Sequence, residues 1–190
     1  GSWDVYSQRV GGRNATPIVN DPQRDERGAA YSPDGSQIAF HESTAVGGIF
    51  IAGATGESVR RLTDIGFDPA WSPDGKQIAF LAPEPKSDLE EKKEKDKDDG
   101  KRVDLDDKHA WLWVADASTG KARQVTSKPW EFRDVQWAPS GDKLIVVATD
   151  HPESDQETDR IFAVNPTDGR MNLIAAPRGP FGGVKLSPDG

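Results

Sequence analysis

A ten-residue stretch that recurs along the chain constrains the fold more than any other feature of this sequence. Residues 71–80 read Trp-Ser-Pro-Asp-Gly-Lys-Gln-Ile-Ala-Phe, and residues 31–40 match them closely. A looser copy spans 137–146, and 186–190 begin a fourth. Each copy joins a bulky residue to an apolar run through a turn in which proline presets φ and glycine accepts the left-handed conformation. The repeat therefore predicts strand, tight turn and strand.

The spacing of the copies indicates four-stranded units. Tyr31 and Trp71 are 40 residues apart, about the length of one propeller blade. Trp71 and Trp137 are 66 apart, and a charged insertion at 83–108 accounts for the excess. The last interval is longer because of a polar loop at 150–159. We therefore predict an all-β fold: a β-propeller of four-stranded antiparallel blades, present as a partial propeller of about four repeats.

The pattern of apolar and charged residues predicts the limits of each blade. Second strands are apolar at consecutive positions, as in strands covered on both faces, whereas fourth strands carry charges that suit an outer edge. Residues 20–28 are polar, and we predict a loop there. The predicted propeller spans 3–190, with a half blade at 3–19, blades at 29–63, 69–126 and 135–174, and the first strand of a next blade at 184–190.

The strand count at the two ends has a consequence for assembly. The predicted half blade supplies third and fourth strands, and the last segment supplies a first strand, so a second strand is lacking between them. The chain is therefore either a tight, incomplete four-bladed ring or a piece of a larger propeller, and the larger propeller is favoured. The open blade faces of such a piece favour self-association.

Composition excludes several classes of partner. The net charge of −8 and the pI near 4.9 argue against nucleic acid and anionic membrane surfaces. No apolar run is long enough to span a bilayer. The chain has no cysteine, which excludes disulfides and thiolate metal sites and leaves the compartment open. Residues 1–2, Gly-Ser, resemble the remnant of a cleaved tag, so the sequence predicts no localisation.

The repeated positions invite a functional interpretation, yet a structural one is favoured at each of them. The aromatic residue before each turn is either a stacking platform for a ligand or an inter-blade packing residue, and packing is favoured. Turn aspartates are expected to bond the backbone rather than to catalyse. The predicted structural repeat positions are Tyr31, Asp34, Gly35, Trp71, Asp74, Gly75, Trp137, Gly141 and Asp189.

Two tryptophans in the second unit also favour a packing role. Trp111 and Trp113 are two residues apart on one predicted strand, so they share a face of the sheet. Core or interface packing is expected for both.

Metal and cofactor signals are weak throughout the chain. Metal-ligand spacing is missing among the three histidines, which are His41, His109 and His151. Asp96, Asp98 and Asp99 hint at a calcium loop, but Gly100 stands where such a loop needs a ligand. The charged run at 88–107 is typical of a solvated arm, with docking on a neighbour as the alternative. We predict no cofactor, no metal site and no catalytic residue.

The repeat resembles known propeller families. Ser-Pro-Asp-Gly-x-x-Ile-Ala-Phe resembles the repeat of TolB and of bacterial sensor propellers, over nearly the whole chain. The second half is similar to the N-terminal propeller of the prolyl oligopeptidase family, especially its acylaminoacyl- and dipeptidyl-peptidase-like members. The segments that carry this second likeness are 84–86 with the charged run behind it, 112–116, 119–126, 151–155 and 158–162.

The resemblance implies a role for the propeller beside a separate catalytic domain. In that family it filters peptides before an α/β-hydrolase domain, but this chain has no Gly-x-Ser-x-Gly elbow, so no catalytic residue carries over. The family's substrate-binding glutamate pair matches Glu90-Glu91 by letters only. We expect a non-catalytic, peptide-gating or peptide-binding propeller without peptidase activity. The alternatives are a TolB-like protein-binding scaffold and a fused or designed propeller fragment.

Overall fold

The chain folds entirely into strands and turns wherever its structure is described. The computed structural model describes residues 2–43, 47–83, 109–127, 130–151, 158–179, 181 and 183–187. These residues form fourteen strands and no α-helix. No helix in these ranges is long and apolar enough to cross a membrane. The prediction of an all-β fold is confirmed.

Three sheets are four-stranded, and each is an antiparallel meander in chain order. A two-stranded sheet, the half blade, precedes them with β1 (Val5–Ser7) and β2 (Thr16–Val19). Blade 1 contains β3 (Glu26–Tyr31), β4 (Gln37–Glu42), β5 (Ile49–Gly53) and β6 (Arg60–Arg61). Blade 2 contains β7 (Phe67–Trp71), β8 (Gln77–Pro83), β9 (Ala110–Asp116) and β10 (Ala122–Gln124). Blade 3 contains β11 (Glu131–Trp137), β12 (Leu144–Thr149), β13 (Arg160–Val164) and β14 (Met171–Ala175).

Two local expectations differ from the structure. Strand β3 begins at Glu26, so the last part of the predicted loop at 20–28 is strand. Glu26 is buried there, and the Arg27 guanidinium lies over the Trp3 ring, so these polar residues have partners within the fold. Residues 184–187, the described part of the first strand predicted at 184–190, are not in a strand. A first strand pairs with a second strand, and the described residues offer 183–187 no such partner.

A hydroxyl and a carboxylate hold the repeated turn together. In blade 2 the Ser72 hydroxyl donates to the Asp74 carboxylate at 2.6 Å and accepts the Gln77 amide at 2.9 Å. Gly75 donates its amide to the Ser72 carbonyl at 2.9 Å, which closes the turn. Blade 1 repeats these bonds with the same distances. Because the turn donors are satisfied inside the turn, the two strands stay in register.

The apolar core lies between neighbouring sheets. One cluster joins the half blade to blade 1, a second joins blade 1 to blade 2, and a third joins blade 2 to blade 3. Alternation along each second strand explains this arrangement, because Ile78 faces one neighbour and Ala79 the other. The inner strands β3, β7 and β11 contact one another in sequence. The blades therefore stack face to face around an axis.

A second contact links each blade to the preceding one at the periphery. The turn between third and fourth strands has a glycine with positive φ that contacts a backbone carbonyl in the preceding outer strand or directly after it. A Cβ on these glycines would lie 2.0 to 2.2 Å from that oxygen, so no side chain fits. The pairs are Gly56 with Ile18, Gly120 with Leu62, and Gly169 with Val125.

This repeated contact assigns the strands of the half blade. Ile18 lies on β2 and meets Gly56 in the way that Leu62 and Val125 meet the later glycines. Strand β2 therefore takes the place of a fourth strand, and β1 takes the place of a third.

Candidate functional site: the axial cleft

The inner strands border an open cleft of about 440 Å³ at the axis. Strands β3, β7 and β11 supply most of its wall, and Lys185 from the last described segment closes one side. Two carboxylates, of Asp68 and Asp134, line the cleft together with aromatic residues. The cleft is thus a mainly acidic groove with one basic side chain at its margin.

A bulge in β7 aims Asp68 into the cleft. The register of β7 with β8 shifts between Phe67 and Ala70, and Asp68 has a φ of 51°. Aspartate is among the few residues that enter the left-handed region at modest cost, and such bulges redirect side chains. Asp68 is half-exposed, and its backbone amide donates to His41 Nδ1 at 3.3 Å.

His41 lies behind Asp68 and is buried. Burial lowers the pKa of His41, the Asp68 carboxylate opposes that shift, and the Arg27 guanidinium adds to it. Since Nδ1 accepts the Asp68 amide, the neutral ring has its proton on Nε2. Gly28 lets β3 approach this ring, because a Cβ there would lie 2.7 Å from His41 Nδ1.

The charge of Asp134 acts on the Asp68 carboxylate. Desolvation raises the pKa of Asp68, His41 opposes the rise, and the neighbouring Asp134 raises it further. Asp134 lies on β11 and accepts the amide of Val184 at 2.8 Å through Oδ2. A cation that approached both carboxylates would relieve their repulsion. The chemistry of the groove therefore favours a positively charged hydrogen-bond donor.

The last described segment lies where an inner strand of a further blade would lie. Val184 donates its amide to Asp134, and its carbonyl accepts from Gln136 Nε2, so the segment is held against β11. A Cβ on Gly183 would lie 2.7 Å from the Asp134 carboxylate. The segment thus borders the cleft and brings Lys185 to it.

The repeated aromatic residues occupy inter-blade positions. Trp71 and Trp137 are each 8% exposed and pack in the clusters that join their blades to the preceding ones. The Trp71 indole N–H also donates to the Ala30 carbonyl at 3.1 Å, which ties β7 to β3. Tyr31 is 50% exposed, and its hydroxyl donates to Ser7 Oγ at 2.9 Å. It is more open because only third and fourth strands precede it in the described residues.

The remaining repeat positions lie in turns. Asp34 and Asp74 accept hydrogen bonds from a serine hydroxyl and a backbone amide of their own turns, which lowers the pKa of both and brings that of Asp34 to about 2. Gly35, Gly75 and Gly141 have φ of 70 to 73°. Asp189 lies outside the described residues, as do Glu90, Glu91, Asp96, Asp98 and Asp99.

Trp113 and Phe80 pack as a pair on the face of blade 2 that meets blade 1. Trp113 stacks on Phe80 with ring centroids 6.4 Å apart, and it packs against the cluster between blades 1 and 2. Trp111 is half-buried two residues earlier on β9.

The sequence held a signal for the cleft carboxylates that the motif itself obscured. Asp68 and Asp134 each stand three residues before the aromatic residue of their repeat, and Gly28 and Gly183 occupy the same position. Aligning the repeats by that position would have placed both carboxylates at the axis. Among the described residues, no group of three or more histidine, aspartate or glutamate side chains is arranged to hold a metal ion.

Comparison with known proteins supports the architecture. No protein-family model and no curated protein matches the sequence. Solved structures do match: TolB from Acinetobacter baumannii has a TM-score of 0.58 at 18% identity over 85% of this chain. The β-propeller domain of the trilobed protease from Pyrococcus furiosus has a TM-score of 0.51 at 19% identity over 83%. Dipeptidyl peptidase 4 from Porphyromonas gingivalis has a TM-score of 0.55 at 14% identity over 84%.

These likenesses define the class of fold. The chain is a β-propeller scaffold, and it spans 35%, 43% and 26% of the length of those three chains. The predicted likeness to TolB-type and peptidase propellers is confirmed at the level of the propeller fold.

Proposed function

We propose that this chain is a non-catalytic propeller whose axial cleft binds a basic group of a polypeptide. The observation that carries the proposal is the convergence of Asp68 and Asp134 on one open groove. Each carboxylate comes from a different inner strand, so the groove exists only when blades 2 and 3 stack. Lysine and arginine side chains, or a terminal amine, supply the donors that two carboxylates accept.

The support of Asp68 favours a binding role. The strained backbone at Asp68 is held by the bond from its amide to His41, so the carboxylate is positioned before any ligand arrives. Aromatic and apolar walls from β3, β7 and β11 provide contact for the aliphatic part of a basic side chain.

Two parent settings fit this binding role. In a prolyl-oligopeptidase-like serine peptidase, which we favour from the residues of the second half, the cleft would admit or hold peptide substrates. In a TolB-like scaffold, which the match to a TolB structure supports as the alternative, the cleft would hold a segment of a protein partner. A Gly-x-Ser-x-Gly hydrolase segment elsewhere in the gene favours the first setting, and its absence favours the second.

Titration calorimetry with two capped pentapeptides tests the proposal. The peptides differ only in a central lysine or glutamine, so no terminal amine contributes. The lysine peptide should bind more tightly by up to about fivefold, because an ion pair in a half-exposed groove contributes up to about 1 kcal/mol. Asp68→Asn and Asp134→Asn should each reduce this preference. Asparagine also tolerates the positive φ at position 68, so the fold is preserved.

Asp64→Asn is the matched control. Its side chain is 89% exposed and pairs with Arg61 outside the cleft, so it removes one negative charge without touching the groove. The lysine preference should survive in this variant. Equal binding of both peptides by the unmodified chain, or an equal loss in all three variants, would contradict the proposal.

A further inference from the structure

The contact between a turn glycine and the preceding outer strand has two halves, the glycine turn and the outer-strand position that it touches. The described residues form this contact three times, and one half lacks a counterpart among them at each end of the stack of blades. The outer-strand half is completed at Ile18, Leu62 and Val125, each of which receives a glycine from the following blade. Leu62 is consequently only 8% exposed. Blade 3 and the half blade carry the halves that no described residue completes.

Ile174 is the outer-strand position of blade 3. In blade 1 Phe50 pairs with Arg61, the residue before Leu62. In blade 3 the counterpart of Phe50 is Phe162, which pairs with Leu173, the residue before Ile174. Ile174 therefore corresponds to Leu62, yet it is 54% exposed.

The turn at Val10 and Gly11 is the opposite half. It joins β1 to β2, which take the places of third and fourth strands, so it corresponds to the turns that hold Gly56, Gly120 and Gly169. Gly11 has the same left-handed backbone, with a φ of 79°, but a Cβ there would meet nothing within 4 Å. Val10 beside it is completely exposed, at 101%.

We propose that a second copy of this chain docks head-to-tail, with the turn at Val10 and Gly11 of one copy on Ile174 of the other. The two unmatched halves belong to a contact that this chain already makes three times, so their shapes are complementary. The segment 183–187 supports this docking, because it lies against β11 at the place of an inner strand. The half blade of the second copy would supply the third and fourth strands of the same blade. The contact is heterologous, since different surfaces meet.

Single cysteines test the geometry directly, because the chain has none of its own. Val10→Cys and Ile174→Cys are prepared as separate proteins and oxidised alone or mixed. A head-to-tail contact predicts a disulfide-linked dimer in the mixture and little in either protein alone. Efficient cross-linking of either single variant alone, or no cross-linking in the mixture, would overturn the proposal.

Light scattering over a range of concentrations provides the second test. At about 150 mM salt, where the repulsion between copies of charge −8 is screened, the chain should exceed the monomer mass. Ile174→Arg should weaken association at least about tenfold, because it replaces a large apolar side chain that the contact would bury. Val59→Arg is the control: Val59 is also an exposed aliphatic residue beside an outer strand, but blade 2 already covers the contact position of that strand. A monomer at every concentration, or equal effects of both variants, would contradict head-to-tail docking.

Discussion

Replacing Gly120 with alanine tests whether close approach of a turn to the preceding outer strand holds neighbouring blades together. The added Cβ would lie 2.2 Å from the Leu62 carbonyl oxygen, well inside the 3.0 Å below which real Cβ contacts are essentially never found. The turn or the backbone at Leu62 must therefore move by about 1 Å, which corresponds to overpacking of about 1–3 kcal/mol. The φ of 74° adds about 1–2 kcal/mol for a non-glycine residue. The free energy of unfolding should fall by about 2–5 kcal/mol.

Gly35→Ala separates the two contributions. Gly35 has a φ of 70°, but an added Cβ would meet nothing within 4 Å, so this variant should lose only the backbone part of about 1–2 kcal/mol. Urea unfolding of both variants measures the difference, which should be about 1–3 kcal/mol. Equal losses of unfolding free energy at the two positions would refute the idea that the turn of blade 2 packs closely against blade 1.

Three further predictions follow from single side chains. Trp71→Phe should lower the free energy of unfolding in urea by about 1 kcal/mol more than Trp137→Phe. The first change removes the hydrogen bond from the Trp71 indole to the Ala30 carbonyl, whereas the Trp137 indole N–H has no partner among the described residues. Turn hydrogen bonds hold the pKa of Asp34 at about 2. The difference in unfolding free energy between the unmodified chain and Asp34→Ala should therefore be full above pH 4 and be lost as the pH falls towards 2. An unchanged difference at pH 2 would contradict this. Burial lowers the pKa of His41, so the contribution of the neutral ring to stability should be full above the ordinary pKa of about 6.5 and fall on acidification. His41→Gln should therefore reduce the change in melting temperature between pH 7.5 and 5.5.

A chromogenic peptidase assay checks the expected lack of catalysis. Aminoacyl and dipeptidyl substrates should remain intact with the purified chain, because no nucleophile elbow is present in the sequence. Turnover that persists through further purification would contradict a purely binding role.

The repeat made the fold predictable because its physics is local. Proline, aspartate and glycine at consecutive positions specify the turn, and the apolar run behind them specifies a covered strand. Each such unit can bury its apolar face only against another, so the spacing of about 40 residues led to stacked blades. The structure agrees in the order and pairing of the strands.

The cleft was not predictable in the same way, because it depends on neighbours across the axis. Asp68 and Asp134 are 66 residues apart and come together only when β7 and β11 stack. The bulge at Asp68 also breaks the alternation from which strand faces are assigned, and that alternation does not predict a positive φ. The spacing of the histidines indicates no metal site, and the place of His41 behind Asp68 appears only in three dimensions.

Mapping the capped lysine peptide onto the chain by amide chemical shifts tests the central claim most directly. The account predicts that the peptide shifts the amides of Asp68, Ala70, Asp134 and Gln136, which lie on the inner strands at the cleft. The turns at Asp116 and Asp168, on the outer side of blades 2 and 3, should be unaffected. Shifts confined to those outer turns, or no shifts at peptide concentrations that saturate binding, would show that the axial cleft is not the binding face.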